Sequence, residues 1–439
     1  MKMNQNAQTF NTYARPMIVR SLFGSLMHTA DRLIAALFIG ASALVATTLI
    51  TPLMFLVAGI AMLFISGLGA YVGLLIGRKN VKRASRLSSA VLSLMGGMGI
   101  LLAIPGLFFS QELAYILGAR GGLLTLSAEY LKLFSLSFPF LLLGRGLDVL
   151  VLNDGSPAYS FKVNIAATVL NLLLNVFAVA ILGMGIKGLA LATLVSTAFE
   201  CGAGFYYFLS RETIIKFSKP LFELKALFRV VYNGISDFAV MVVESVMVYV
   251  VNMAFITYLT PGHFEAYAAA NIIISMFYSI YLGASMGLQP MFSKMMGEKK
   301  FGGLKPLIAY SIRKSFAYGL LVYIGLMPFA RSILGLFLKS EGNVEIGVFF
   351  YLTIGAATLL SNLPLQLTIF FTAINRPMES ALISCVRTLV LIPPVVFVSI
   401  KYTGAVGVAT GFAVADALMI LGLVVFMSRL KISKLKVLE

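Results

Sequence analysis

Six carboxylates interrupt otherwise apolar stretches of the chain: Asp31, Asp148, Glu200, Asp237, Glu244 and Asp416. A charge at the middle of a bilayer costs about 2.5–3.5 kcal/mol on insertion scales, so each acid needs a partner or a compensating role. Asp31 is the most informative. It lies 15 residues after Pro16, about 22 Å along a helix rising ~1.5 Å per residue, in the outer half of its span. Adjacent residues on a helix point apart, so Arg32 cannot pair with it face to face. A carboxyl group buried without a firm cation is suited to exchanging protons near neutral pH. The structural alternative is an acid paired with Arg32 or His28 at a helix end.

Two polar stripes follow. Asn164, Thr168, Asn171 and Asn175 fall at steps of 4, 3 and 4, and Thr193, Thr197 and Glu200 at steps of 4 and 3, so each set shares a helix face. Adjacent helices striped in this way would line one wet cavity. Amide and hydroxyl oxygens are hard donors that suit Na⁺, and with a carboxylate they could hold an exchangeable proton. Interhelical hydrogen bonding, worth about 0.6 kcal/mol each, is the structural alternative. Asp237 and Glu244, seven apart, also share a face, with Asn252 roughly in line. Arg145 and Asp148, three apart, are expected to form an internal salt bridge or else part of a substrate wall. Arg387 is a candidate partner for Asp416.

Enzyme signatures are missing. The sequence has no GxxxxGK[ST], HExxH or CxxC, and its two histidines are His28 and His263. Cys201 and Cys385 both lie in apolar runs, without metal-ligand spacing. No enzyme activity, no cofactor and no metal are expected beyond Na⁺ or H⁺ as a coupling ion. Without an ATP-binding domain, energy must come from an ion gradient or a partner.

The elements that position these groups are set by composition. Of 439 residues, 59% are hydrophobic and 12% charged, with a mean hydropathy of +0.95. Soluble domains average about 45–50% apolar and about 25% charged. The apolar residues come in runs of roughly 20, without period-two alternation, which fits membrane-crossing helices rather than a barrel. Twelve spans are expected: 17–39, 48–76, 87–109, 128–152, 158–182, 186–209, 228–259, 266–292, 307–332, 346–374, 379–400 and 405–427. The first helix starts at Pro16, after a polar N-terminus, and is too long for a signal segment, so no cleavage is expected.

The net charge of +17 is read as loop charge facing the cytoplasm, not as a nucleic-acid footprint. Arg78, Lys79, Lys82, Arg83 and Arg86 follow span two. Arg211, Lys216, Lys219, Lys225 and Arg229 surround the joint of spans six and seven. Lys294, Lys299, Lys300 and Lys305 follow span eight, and Arg429, Lys431, Lys434 and Lys436 end the chain. The alternate connections hold Arg120, Lys187, Arg331, Lys339 and Lys401. Both termini are therefore expected to be cytoplasmic. The expected organisation is an N-terminal six-helix lobe over 1–210, a basic linker over 211–227, a C-terminal six-helix lobe over 228–429 and a basic tail over 430–439.

The halves resemble each other at an offset of about 220 residues: Gly67 with Gly287, Tyr130-Leu131 with Tyr351-Leu352, Pro157 with Pro377, and Gly188 with Gly407. An even number of spans per repeat makes the repeats parallel, as in transporters with two rocking halves and a site that faces each side by turn. Gly69, Gly73 and Gly77, and Gly283 with Gly287, have the spacing that lets helix backbones approach. With 21 Met, 34 Phe and 18 Tyr, the chain carries surfaces that can repack around varied apolar cations, besides ordinary lipid-facing bulk.

Ile116-Leu117-Gly118-Ala119-Arg120-Gly121, Tyr130-Leu131-Lys132, Pro139-Phe140, Gly155-Ser156-Pro157, Asn171 with Asn175, and Gly185-Ile186 through Ala190-Leu191-Ala192-Thr193 together resemble the multidrug and toxic compound extrusion (MATE) exporters, in the bacterial efflux branch. The resemblance covers nearly the whole chain. It implies an antiporter of the cytoplasmic membrane, driven by H⁺ or Na⁺, that exports amphipathic, often cationic small molecules. Membrane lipid is the surrounding partner, and no obligate protein partner is expected. The resemblance also implies an ion-coupling group at Asp31, Asn171, Asn175 and Thr193, with Asn175 standing where relatives carry Asp. Asp148 falls where relatives carry an acid on span four, and the family's Arg before the GxP is Leu152. Glu200, Asp237 and Glu244 are secondary coupling or substrate candidates. The rival readings are a flippase for lipid-linked saccharide from the same superfamily, and a membrane enzyme or receptor-like protein.

Overall fold

The computed structural model describes residues 2–210, 212–220, 222–297, 301–374 and 376–429. Among the loop charges, Arg211, Lys299, Lys300 and the tail 430–439 lie outside them. The described residues are mostly helical, without strands, and the linker over 212–220 is the longest non-helical stretch among them. Ten helices are long and apolar enough to cross a membrane, and an eleventh span is a pair bent by 47°. The helix Arg15–Phe38 completes the twelve. The protein is an all-α, multi-pass membrane protein.

The spans follow the apolar runs closely. Span two is Ala41–Gly77, span three Val81–Phe108, span six Ile186–Ser210, span seven Leu224–Tyr258 and span eight Pro261–Gly297. Span nine is Phe301–Leu326 and span twelve Ala405–Arg429. Spans four and ten are broken. Span four runs as Gly122–Ser135 and Phe138–Asn153, and span ten as Glu341–Leu360 and Asn362–Ala373. Pro139 and Pro364 stand in the first turn after each break, where a missing N–H is tolerated. Spans five and eleven each begin with a proline and carry a π-helical stretch. Pro157–Asn175 leads into Val176–Ile181, and Pro377–Cys385 into Val386–Leu391, before Ile392–Thr403. The two halves therefore share their irregularities as well as their length.

The start of span one corrects the sequence reading. Helix begins well before Pro16, as Lys2–Thr9 and a π-helical turn Phe10–Ala14. Phe10, Ala14 and Ile18, spaced by four, are buried, and the Phe10 ring meets Tyr310 at 5.8 Å. A single short apolar stripe in a polar segment is enough to extend the helix once it has a surface to bury against.

The chain packs as two units, Leu37–Tyr249 and Met1–Ala36 with Val250–Glu439. Each takes in most of the first helix of the other half of the sequence. Within the Leu37–Tyr249 unit, span seven lies so close to span two that a Cβ on Gly67 would be 1.9 Å from the Val230 carbonyl oxygen, and one on Gly234 1.9 Å from that of Leu63. Within the other unit, Gly283 and Gly287 of span eight lie against Ile18 and against Tyr13 and Ala14 of the first helix. Gly67 and Gly287 are partners in the internal repeat, so the same contact occurs in both units. Gly69 and Gly73 instead admit Val149 and Asn153 of span four.

The basic linker is strapped to the Leu37–Tyr249 unit. The Asp154 carboxylate, just after span four, accepts from the backbone N–H groups of Ile214 (2.7 Å) and Ile215 (3.1 Å) and from the Tyr207 hydroxyl (2.8 Å). The N–H groups of Lys216 and Ser218 donate to Ser85 and Ser89 of span three, and Arg83 binds Glu223 through both carboxylate oxygens at 2.7 and 2.8 Å. Removing the shared acceptor should loosen the strap. Charge-assisted bonds of this kind contribute about 1.5–3 kcal/mol each, so Asp154→Ala should raise the rate of limited proteolysis within 212–223 by about tenfold or more. An unchanged digestion rate would show that the strap does not depend on Asp154.

Candidate ion-coupling site

Spans four, five and six bring the polar stripes together in the Leu37–Tyr249 unit. Asn171 donates to Ser196 of span six at 3.2 Å, and Asn175 donates to Asn171 at 3.2 Å. Asn175 is buried, while Asn171 and Thr193 are half-buried. The Thr193 and Thr197 hydroxyls donate to carbonyls one turn earlier in their own helix. Ser196 was not singled out in the sequence. It lies three residues after Thr193, a spacing that could have placed it on the stripe.

One turn further along, Asp148 of span four accepts from Ser160 at 2.5 Å and from Asn164 at 3.4 Å. Ser160 extends the span-five stripe one turn before Asn164. The expected Arg145–Asp148 salt bridge is not formed. Arg145 reaches Glu200 of span six instead, at 3.6 Å. Facing span five, Asp148 finds hydroxyl and amide donors, and Arg145 is left to Glu200. That pair is loose: the enclosed Glu200 Oε1 makes no hydrogen bond, its side chain is 12% exposed, and that of Arg145 is 49% exposed. Asp148, Ser160 and Glu200 line one small cavity with Gly144, Tyr159 and Gly204. The arrangement places two carboxylates on one small, mostly apolar cavity, with the half-exposed Arg145 beside Glu200.

The other acids are placed separately. Asp31 is half-buried on Arg15–Phe38 and belongs to the unit of Met1–Ala36 and Val250–Glu439, whereas Asn171, Asn175 and Thr193 belong to the Leu37–Tyr249 unit. The side chain of His28 lies outside the described residues. Asp237 of span seven accepts from Ser66 of span two. Glu244, one turn-pair further on, is half-buried. Asp416 finds the partner expected for it. Arg387 Nε donates to its Oδ1 at 2.8 Å, and Ser361, at the break in span ten, donates to its Oδ2 at 2.5 Å. Among the described residues no three His, Cys, Asp or Glu side chains gather as a metal site.

The MatE family model matches residues 16–177 and again residues 238–398. The chain belongs to the MATE family. The two matches start at the spacing of the internal repeat, one in each half. The chain is 26% identical over 432 residues to the multidrug export protein MepA of Staphylococcus aureus (strain bovine RF122 / ET3-1), covering 95% of this chain and 93% of that protein. Its fold resembles that of a multidrug resistance MATE family transporter of the MOP superfamily. The TM-score is 0.86 for the inward-facing conformation of that transporter, at 20% identity over 94% of this chain and 96% of that one. For the outward-facing conformation the TM-score is 0.74, over 97% and 96%. As a MATE protein the chain is a transporter, not an enzyme.

Proposed function

We propose that this MATE protein is a cation-coupled antiporter that exports amphipathic, often cationic organic compounds. The observation that carries the reading is the near full-length match to proteins named for multidrug export, with a family match in each half. The inward-facing and outward-facing forms of its structural neighbour support alternating access. In this reading the lobes are 1–210 and 228–429, the protein lies in a bacterial-type cytoplasmic membrane, and both termini are cytoplasmic.

Asp31, Asn171, Asn175 and Thr193 carry the coupling. With Asn at 175, Asp31 is the one carboxylate among these residues, and its charge responds directly to a proton or Na⁺. Binding can shift a conformational equilibrium only through different affinities for the two states; neutralising Asp31 supplies such a difference. Glu200 is the counter-ion for cationic substrate. Its loose bond to a half-exposed Arg145 lets a substrate cation replace the guanidinium. Asp148, Asp237 and Glu244 are secondary coupling or substrate groups. A flippase for lipid-linked saccharide needs unpaired basic groups for pyrophosphate, and Arg387 is committed to Asp416.

The test is efflux of a panel of cationic dyes from proteoliposomes, with Na⁺ and pH gradients imposed separately. One gradient should drive efflux, and Asp31→Asn should slow it by about tenfold or more, which corresponds to about 1.4 kcal/mol of lost coupling. Gradient-independent behaviour across the panel would overturn the antiporter, and wild-type coupling in Asp31→Asn would remove Asp31 from the mechanism.

A further inference from the structure

Span seven is longer than a membrane needs. Its 35 residues, Leu224–Tyr258, extend about 52 Å at ~1.5 Å per residue, against roughly 30 Å of hydrocarbon. The far end turns within two residues into span eight at Pro261. The surplus therefore lies at the Leu224 end, at headgroup level and beyond.

That end has three faces. Ala226, Val230 and Gly234 are buried, and the last two lie against span two. Leu224, Phe228, Tyr232 and Ile235 form an apolar stripe, 82%, 68%, 65% and 51% exposed. Between them stand Lys225 and Arg229, one turn apart, both exposed, in a shallow groove bounded by Leu224 and Phe228. The nearby acids are engaged elsewhere, Glu223 with Arg83 and Asp237 with Ser66. Among the described residues neither Lys225 nor Arg229 forms an ion pair.

A helix end packed against span two, with two cations beside an apolar stripe, has the chemistry of both parts of one molecule. We infer that Lys225 and Arg229 form a headgroup site for an anionic phospholipid. The phosphate sits between the two cations, and the acyl chains lie along Phe228 and Tyr232. Cationic side chains near an anionic leaflet each contribute about fivefold to such an affinity, and an interfacial tyrosine suits the boundary.

The absence of tryptophan from the chain makes the test direct. Phe228→Trp places a single indole on the stripe; Tyr232→Trp is the alternative if the first does not fold. The protein is reconstituted in phosphatidylcholine vesicles containing a brominated lipid. Half-maximal quenching should need about 25-fold less brominated phosphatidylglycerol than brominated phosphatidylcholine, about fivefold for each of the two cations. The added changes Lys225→Gln and Arg229→Gln should remove the difference while the protein still elutes as a folded peak. Equal quenching by both lipids, or quenching by neither, overturns the site. Loss of the preference on adding millimolar inorganic phosphate shows that free phosphate is the ligand and overturns it too. The readout needs no transport, so its failure and a failure of the antiporter reading are separate results.

Discussion

Gly67→Val is expected to abolish recovery of folded protein. A Cβ at this position would lie 1.9 Å from the Val230 carbonyl oxygen and 2.5 Å from its carbon. These are backbone atoms of a helix, and no rotamer change relieves the overlap. Ordinary overpacking costs about 1–3 kcal/mol when side chains can shift. Here spans two and seven must separate, and the cost should reach the range above about 4 kcal/mol that marks exceptional substitutions. Gly234→Val should behave alike, since its Cβ would meet the Leu63 carbonyl at the same distance. Gly97 on span three has nothing within 4 Å, so Gly97→Ala should be neutral or stabilising by up to about 1 kcal/mol. Fluorescence-detected size exclusion of the three variants, followed by thermal melting of those that survive, measures the contrast. A normal peak and Tm for Gly67→Val would mean that the two helices are not in contact there.

Asp416→Leu is expected to be nearly as damaging. The carboxylate is 2% exposed and holds an Arg387 side chain that is 16% exposed. Removing one member of a buried pair leaves the other charge unsatisfied, at a cost of about 3–5 kcal/mol, whereas replacing both with apolar groups is often neutral. Asp416→Leu should therefore lower Tm sharply, and adding Arg387→Met should restore most of the loss. Ser361 loses two partners in the double variant, at the break in span ten, so recovery should be incomplete by about 1 kcal/mol. Equal Tm for wild type and the single variant would show that the pair contributes nothing to stability. Dye efflux by the recovered double variant would show that the pair is structural.

The positions of the spans were legible because apolar runs of about twenty residues have few other uses. The polar stripes were legible because helical periodicity puts residues three and four apart on one face, and Asn171, Asn175 and Ser196 do meet. Asp416 and Arg387 could be matched because a buried acid requires a cation. The Arg145 partner was misread for a geometric reason. Spacing within a helix says which residues can meet, but Ser160 and Asn164 on the next helix compete for Asp148. The helical start before Pro16 was hidden because Phe10 and Ala14 are too few to register as a run. The placement of the first and seventh helices was beyond the sequence altogether. The repeat shows which segments are equivalent, whereas the partner of each glycine face depends on which neighbour can come closest.

That placement bears on how the chain can be divided and how it could have arisen. A fragment ending in the linker would carry the face around Gly67 without the helix that covers it, and the remaining fragment would carry the face around Gly287 uncovered. Two such pieces made together have what each other lacks, while either alone exposes backbone where a helix belongs. A protein of a single repeat would have closed both faces by domain swapping, lending its leading helix to a second copy and receiving one back. The fused chain keeps that reciprocal loan within one molecule.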